Sequence, residues 1–132
     1  MIVVVDVSAA VEVLLQKETQ TQFSKYLKEA AWVIAPDLYI AELSNVLWKY
    51  HRAKVISRAD CITYVESGIN LIDDFIETRE LWKEALGEGI KNNHTVYDMY
   101  YAVLARRNDA VLLTKDETLV NLCKKMKIAI CR

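Results

Sequence analysis

Apolar and polar positions along this chain follow two rhythms. Ile2-Val3-Val4-Val5 is an unbroken apolar run of mostly β-branched residues, and Ala110-Val111-Leu112-Leu113-Thr114 is a second. A strand buried on both faces has this pattern, whereas a half-exposed strand alternates. Trp32-Val33-Ile34-Ala35 predicts a further short strand stopped by Pro36, and Lys127 to Cys131 predicts a last one. Asp73 to Glu77 is ambiguous, with Phe75-Ile76 fitting a short strand. Between these runs apolar residues recur at helical spacing. Ser8 suits the cap of a helix to about Gln16, and a second helix covers about 20–31. Asp37 suits the cap of a long helix over about 38–53, and Ser57 of one over about 58–71. Thr78 begins a helix ending near Gly87 or Gly89; Thr95 caps one to about Arg107; Asp116 caps one to about Lys125.

Buried strands alternating with helices predict an α/β domain of three layers, a short parallel sheet flanked by helices. At 132 residues the chain fits a single domain over residues 1–132. With one Pro and three Gly it carries no linker composition, and it has no internal repeat or charge block. In open parallel sheets, ligands bind beyond the carboxyl ends of the strands. Asp6 and Asp116 both lie just past a predicted strand's carboxyl end.

Charge narrows the function. The formal net charge is −1, so broad nonspecific affinity for nucleic acid is excluded; any such contact is local or runs through a metal. Three cysteines, Cys61, Cys123 and Cys131, with no C-x-x-C, suggest buried free thiols rather than disulfides or a zinc site. No apolar run approaches the length of a membrane span or signal segment, so a soluble cytoplasmic protein is expected.

Four acids carry the candidate chemistry: Asp6, Glu42, Asp98 and Asp116. Each has an ordinary structural explanation. Asp116 is a good N-cap, Thr95 with Asp98 resembles a capping box, and Asp6 could simply end a strand. Glu42 shares a helical stripe with Leu38 and Val46, so it is expected to be partly buried. Either a Lys or Arg pairs with it, or a cation does, because an unpaired buried carboxylate is costly. Together, two acids at strand ends, one at a helix start and one on a helix suit one pocket of hard oxygen ligands for Mg²⁺ or Mn²⁺. No His lies beside these acids in the sequence, which argues against zinc.

The same residues carry a resemblance. Val5-Asp6-Val7-Ser8, Ala41-Glu42-Leu43-Ser44-Asn45-Val46-Leu47, Thr95-Val96-Tyr97-Asp98-Met99-Tyr100-Tyr101-Ala102-Val103-Leu104-Ala105 and Leu113-Thr114-Lys115-Asp116-Glu117-Thr118-Leu119 occur in the order of four motifs. On these the chain resembles the PIN-domain ribonucleases, in particular VapC-type toxins of toxin–antitoxin pairs. Residues 60–90 match only in general character, and Met99 stands where a small residue is commoner. The resemblance implies a metal-dependent endoribonuclease in which Asp6, Glu42, Asp98 and Asp116 ligate one or two Mg²⁺ or Mn²⁺ ions. It implies Ser8 and Thr114 as hydrogen-bonding supports, an RNA substrate, a homodimer and an antitoxin that blocks the site. The alternative is a catalytically silent RNA-binding module on the same fold. A phosphoacceptor receiver domain fits poorly, because Asp6 has no acidic neighbour and Ile34-Ala35 leads into Pro36.

Other residues have plainer expectations. Lys115, between two motif residues, is a candidate RNA phosphate contact. His51 and His94 lack partners at ligand spacing and are expected at the surface. Arg106, Arg107, Lys124, Lys125 and Lys127 complement helix ends as solvated charges. Tyr97, Tyr100 and Tyr101 either stack on bases or pack a core or dimer face. Trp32 and Trp48 are expected in a core or interface, and Asp73-Asp74 in a solvated turn.

Overall fold

The computed structural model describes residues 1–131; Arg132, the last residue of the domain predicted from sequence, lies outside them. Strand β1 (Ile2–Val5) runs directly into helix α1 (Val7–Leu14), followed by α2 (Gln20–Glu29) and β2 (Trp32–Pro36). Next come α3 (Leu38–Arg52), α4 (Arg58–Asn70) and β3 (Asp74–Ile76), then a 3₁₀ turn at Thr78–Glu80 and α5 (Trp82–Asn92). The chain closes with α6 (Val96–Arg107), β4 (Val111–Leu113), α7 (Glu117–Lys125) and β5 (Ile130–Cys131). All strands pair in parallel in the order β3-β2-β1-β4-β5.

The central strand shows why the apolar runs are unbroken. Val4 lies between Ile34 on β2 and Leu112 on β4, and all three side chains are fully buried. Helices α1 to α4 pack among themselves; α5, α6 and α7 form a second group, with α6 against β1, β2 and β4. The strand order reverses between β1 and β4. Such a switch point leaves a crevice at the strands' carboxyl ends. Asp6 and Asp116 follow β1 and β4 there.

Several local expectations change. Asp6, not Ser8, caps α1: its carboxylate accepts from Ala9 N at 2.9 Å. A single residue separates β1 from α1, so the strand-end acid is the cap and Ser8 falls inside the first turn. Helix α5 runs through Gly87 and Gly89 to Asn92, where Asn93 takes the left-handed conformation (φ 50°) that glycine usually supplies. A β-carbon on Gly89 would lie 3.0 Å from the His94 carbonyl oxygen, so this glycine permits close packing rather than a helix stop. The helix expected from Thr78 opens as a 3₁₀ turn, and α-helix begins at Trp82. The last strand shrinks to two residues.

Asp37 makes no side-chain bond to its own helix; its Oδ1 accepts from Thr78 N at 3.1 Å, tying the start of α3 to the segment after β3. Asp73 and Asp74 are not merely solvated. Asp73 accepts from Val33 N at 2.8 Å, and Asp74 accepts from the Trp32 indole at 2.6 Å, joining β2 to β3. Arg106 and Arg107 end α6 as expected, but they pair with Glu84 on α5 at 2.6 and 2.7 Å. Trp48 is exposed rather than in the core. Cys61 and Cys123 are free thiols, and Cys123 and Cys131 are buried.

Candidate active site

Asp6, Glu42, Asp98 and Asp116 line one cavity of about 390 Å³ at the carboxyl ends of β1 and β4. They arrive from the β1–α1 junction, α3, the first turn of α6 and the β4–α7 junction. Ser8 and Lys115 line it too.

Asp6 is the most enclosed, at 6% exposure. Its Oδ1 accepts from Ser8 Oγ at 2.7 Å and Ala9 N at 2.9 Å, and its Oδ2 accepts from Thr114 Oγ. Burial nonetheless pushes its pKa up to about 6; the three donors pull it down, and the Asp98 charge adds to the rise. The supporting hydroxyls are themselves fixed: Ser8 Oγ accepts from Lys115 N at 2.8 Å, and Thr114 Oγ from Asp116 N at 3.1 Å.

Glu42 is half-buried, and its hydrogen-bond partner is neither Lys nor Arg. The Tyr101 hydroxyl donates to its Oε1 at 2.6 Å, bridging α6 to α3. Burial raises the Glu42 pKa, the tyrosine lowers it, and the Asp98 charge raises it again. Tyr101 is 2% exposed, and burial with the adjacent carboxylate keeps its phenol protonated. It therefore packs the core and the pocket wall, whereas Tyr97 is exposed. Asp116 accepts from Thr118 N and Leu119 N, both on Oδ1, so the cap engages one carboxylate oxygen.

His94 overturns its expected surface place. Its side chain is 14% exposed, and Nε2 lies 2.7 Å from Asp98 Oδ2. The i, i+4 spacing was visible in the sequence, but His94 precedes the helix, where that rule is not ordinarily applied. Thr95 makes no side-chain capping bond, so the expected capping box is absent. His51 stays exposed, its Nδ1 2.9 Å from the Ile56 carbonyl.

Two further wall residues escaped the sequence reading. Glu12, on α1, is 8% exposed, and among the described residues its Oε2 has no hydrogen-bond partner. Lys115 Nζ lies 3.6 Å from the other oxygen, Oε1. Lys17 donates to the Tyr50 hydroxyl at 2.6 Å, with its ammonium 5.2 Å from that ring's centre. The placement of Glu12 between Val11 and Val13 was the available signal.

Among the described residues, no three His, Cys, Asp or Glu side chains stand close enough together to form a ready ligand set. The donor chemistry still fits a hard divalent cation. Five carboxylates, the four above and Glu12, line one cavity without a cysteine in its wall, and burial and mutual repulsion raise the pKa of Asp6 and Glu42. A bound cation offsets both effects. To share an ion the carboxylates must draw closer.

The PIN domain family model matches residues 3–125. The chain belongs to the PIN-domain family. This PIN domain is similar to Ribonuclease VapC3 of Pyrobaculum aerophilum, with 28% identity over 122 residues, 88% of this chain and 90% of that protein. Its structure is similar to that of PAE2754 from Pyrobaculum aerophilum, with a TM-score of 0.74, 25% identity, and coverage of 97% of this chain and 81% of that one. It also shares the fold of the crystal structure of VapBC2 from Rickettsia felis bound to a DNA fragment from their promoter. There the TM-score is 0.65 at 13% identity, over 99% of this chain and 98% of that one. The parallel sheet and its flanking helices are those of a PIN domain. Among the described residues of this PIN domain, no helix is long and apolar enough to cross a membrane.

Proposed function

We propose that this chain is an endoribonuclease dependent on Mg²⁺ or Mn²⁺, the toxin of a toxin–antitoxin pair. The observation that carries this reading is the meeting of four carboxylates, from four separate elements, on one cavity at the sheet's switch point. Its similarity to Ribonuclease VapC3 supports RNA as the substrate class.

Asp6, Glu42, Asp98 and Asp116 would hold the ion. The chemistry that a hard divalent ion supplies in such a site is activation of water and neutralisation of phosphate charge. The chain's own contribution is placement. Ser8 and Thr114 fix both oxygens of Asp6, and Tyr101 fixes one oxygen of Glu42. Lys115, on the cavity wall, would meet a phosphate of the RNA strand. An antitoxin would block the same cavity with a basic side chain near Asp6 and Asp98, because opposite charge relieves carboxylate repulsion as a cation does. A homodimer belongs to the same reading, supported by the exposed Trp48, Ile62, Trp82, Ile90 and Tyr97.

The test is incubation of purified protein with a mixed RNA pool in Mn²⁺ and in EDTA. Cleavage is expected in Mn²⁺, lost in EDTA and lost in Asp98→Asn. Equal cutting in both buffers removes metal dependence; no cutting in either, with RNA still bound, favours the silent binding module. Light scattering on the same sample should give about twice the 15.2 kDa chain mass.

A further inference from the structure

The segment between α5 and α6 is built tightly. Asn93 adopts φ 50°, and His94 N donates to the Gly89 carbonyl at 3.0 Å, closing the end of α5. Gly89 has no side chain to resist this: a β-carbon there would lie 3.0 Å from His94 O and from Val96 Cγ2. The His94 backbone is thus fixed, and its nearly enclosed ring reaches forward to Asp98 Oδ2 at 2.7 Å.

Asp98 has another destination. It occupies the third position of α6, from which an acid can fold back onto the N–H groups of the helix start. Thr95 makes no side-chain bond there, so the N-terminal turn keeps its pull on a carboxylate. The contact from His94 Nε2–H opposes that withdrawal. We propose that His94 is a positioning residue that holds the Asp98 carboxylate in the cavity for divalent-metal binding. The inference rests on the metal-dependent reading above.

The test is Mn²⁺ titration by calorimetry of folded wild type, His94→Ala, His94→Gln and Gly89→Ala, with melting curves in EDTA beside it. Loss of an outer hydrogen bond to a ligand typically weakens metal affinity by about 10–100-fold, and His94→Ala should fall in that range. His94→Gln carries an amide N–H at similar reach and should recover most of the affinity. Gly89→Ala, which displaces the His94 backbone, should lose several-fold. A merely structural histidine lowers the melting temperature in EDTA and leaves Mn²⁺ affinity within a few-fold of wild type; that result overturns the inference. If His94→Ala does not fold, unchanged affinity in Gly89→Ala overturns it equally. Wild type that takes up no Mn²⁺ overturns the metal reading, and this inference with it.

Discussion

At the scale of single residues, Asp6 shows two effects in opposition. Three donors favour its charge, burial disfavours it, and burial wins, with a pKa of about 6 against an ordinary 3.8. The folded state therefore keeps a proton that the unfolded chain releases between these values, and stability should fall as pH rises from about 4 to about 6. The full cost at neutral pH is about 3 kcal/mol as an upper bound. Asp6→Asn removes that cost and loses the bond from Thr114, worth about 1 kcal/mol. In EDTA the variant should be about 1–2 kcal/mol more stable than wild type at pH 8, and no more stable at pH 4. Urea denaturation across that range measures it. Parallel pH curves for the two proteins would show that Asp6 is not held in this way.

The same scale shows what the sequence disclosed. Asp6 and Asp116 were legible because a strand-end position in a parallel sheet is a local property with a known spatial outcome. Glu42 was legible as a half-buried acid, but not its partner, since Tyr101 is distant in the chain and only α3–α6 packing joins them. Ser8 and Asp6 compete for one cap two residues apart, and the abrupt turn from β1 into α1 decides between them. His94 was hidden because its partner lies across a helix boundary. Glu12 was hidden because a charge on a helix reads as solvated until the packing of α1 is known.

At the scale of elements, the glycines separate propensity from packing. Glycine costs a helix interior about 0.5–1 kcal/mol relative to alanine. Gly87 on α5 faces open space, with nothing within 4 Å of an added β-carbon. Gly87→Ala should thus stabilise the protein by about 0.5–1 kcal/mol. Gly68 on α4 is different: an added carbon would clash with Leu43 Cδ2 and lie 3.1 Å from Leu14 Cδ1. Leu43 is fully buried, and the Gly68 carbonyl accepts from the Tyr39 hydroxyl at 2.8 Å, so the α3–α4 crossing has little room to yield. Overpacking costs about 1–3 kcal/mol and exceeds the propensity gain, so Gly68→Ala should destabilise by about 0–2 kcal/mol. Thermal melts of the two variants should move in opposite directions; a stabilised Gly68→Ala would mean that the crossing relaxes freely. This also explains the misplaced end of α5. A glycine signals a helix stop by its backbone freedom, yet Gly89 serves by its missing side chain, which depends on the neighbouring segment.

At the scale of the molecule, charge limits how RNA can be held. The chain is close to neutral, with a net charge of −1, and its cavity is lined by acids. Long-range attraction of a phosphate backbone is therefore weak, and contacts with RNA must be few and local. Lys17 and Lys115 both line the cavity, and each is tied to its own wall: Lys17 to Tyr50, Lys115 to Glu12. Each phosphate neutralised on a single strand contributes about −0.7 to the slope of log affinity against log salt. Two lysine contacts therefore predict a slope of about −1.4, falling to about −0.7 in Lys115→Ala. Fluorescence anisotropy of a labelled single-stranded RNA in EDTA, where cutting is expected to stop, measures it between about 50 and 400 mM KCl. Lys115→Ala also leaves Glu12 with one fewer cation, so circular dichroism should first establish that the variant is folded. A wild-type slope steeper than about −3 would require several further cations and would move the RNA path off this cavity onto another face. An unchanged slope in folded Lys115→Ala would remove that lysine from the phosphate contacts and leave its pairing with Glu12 as its role.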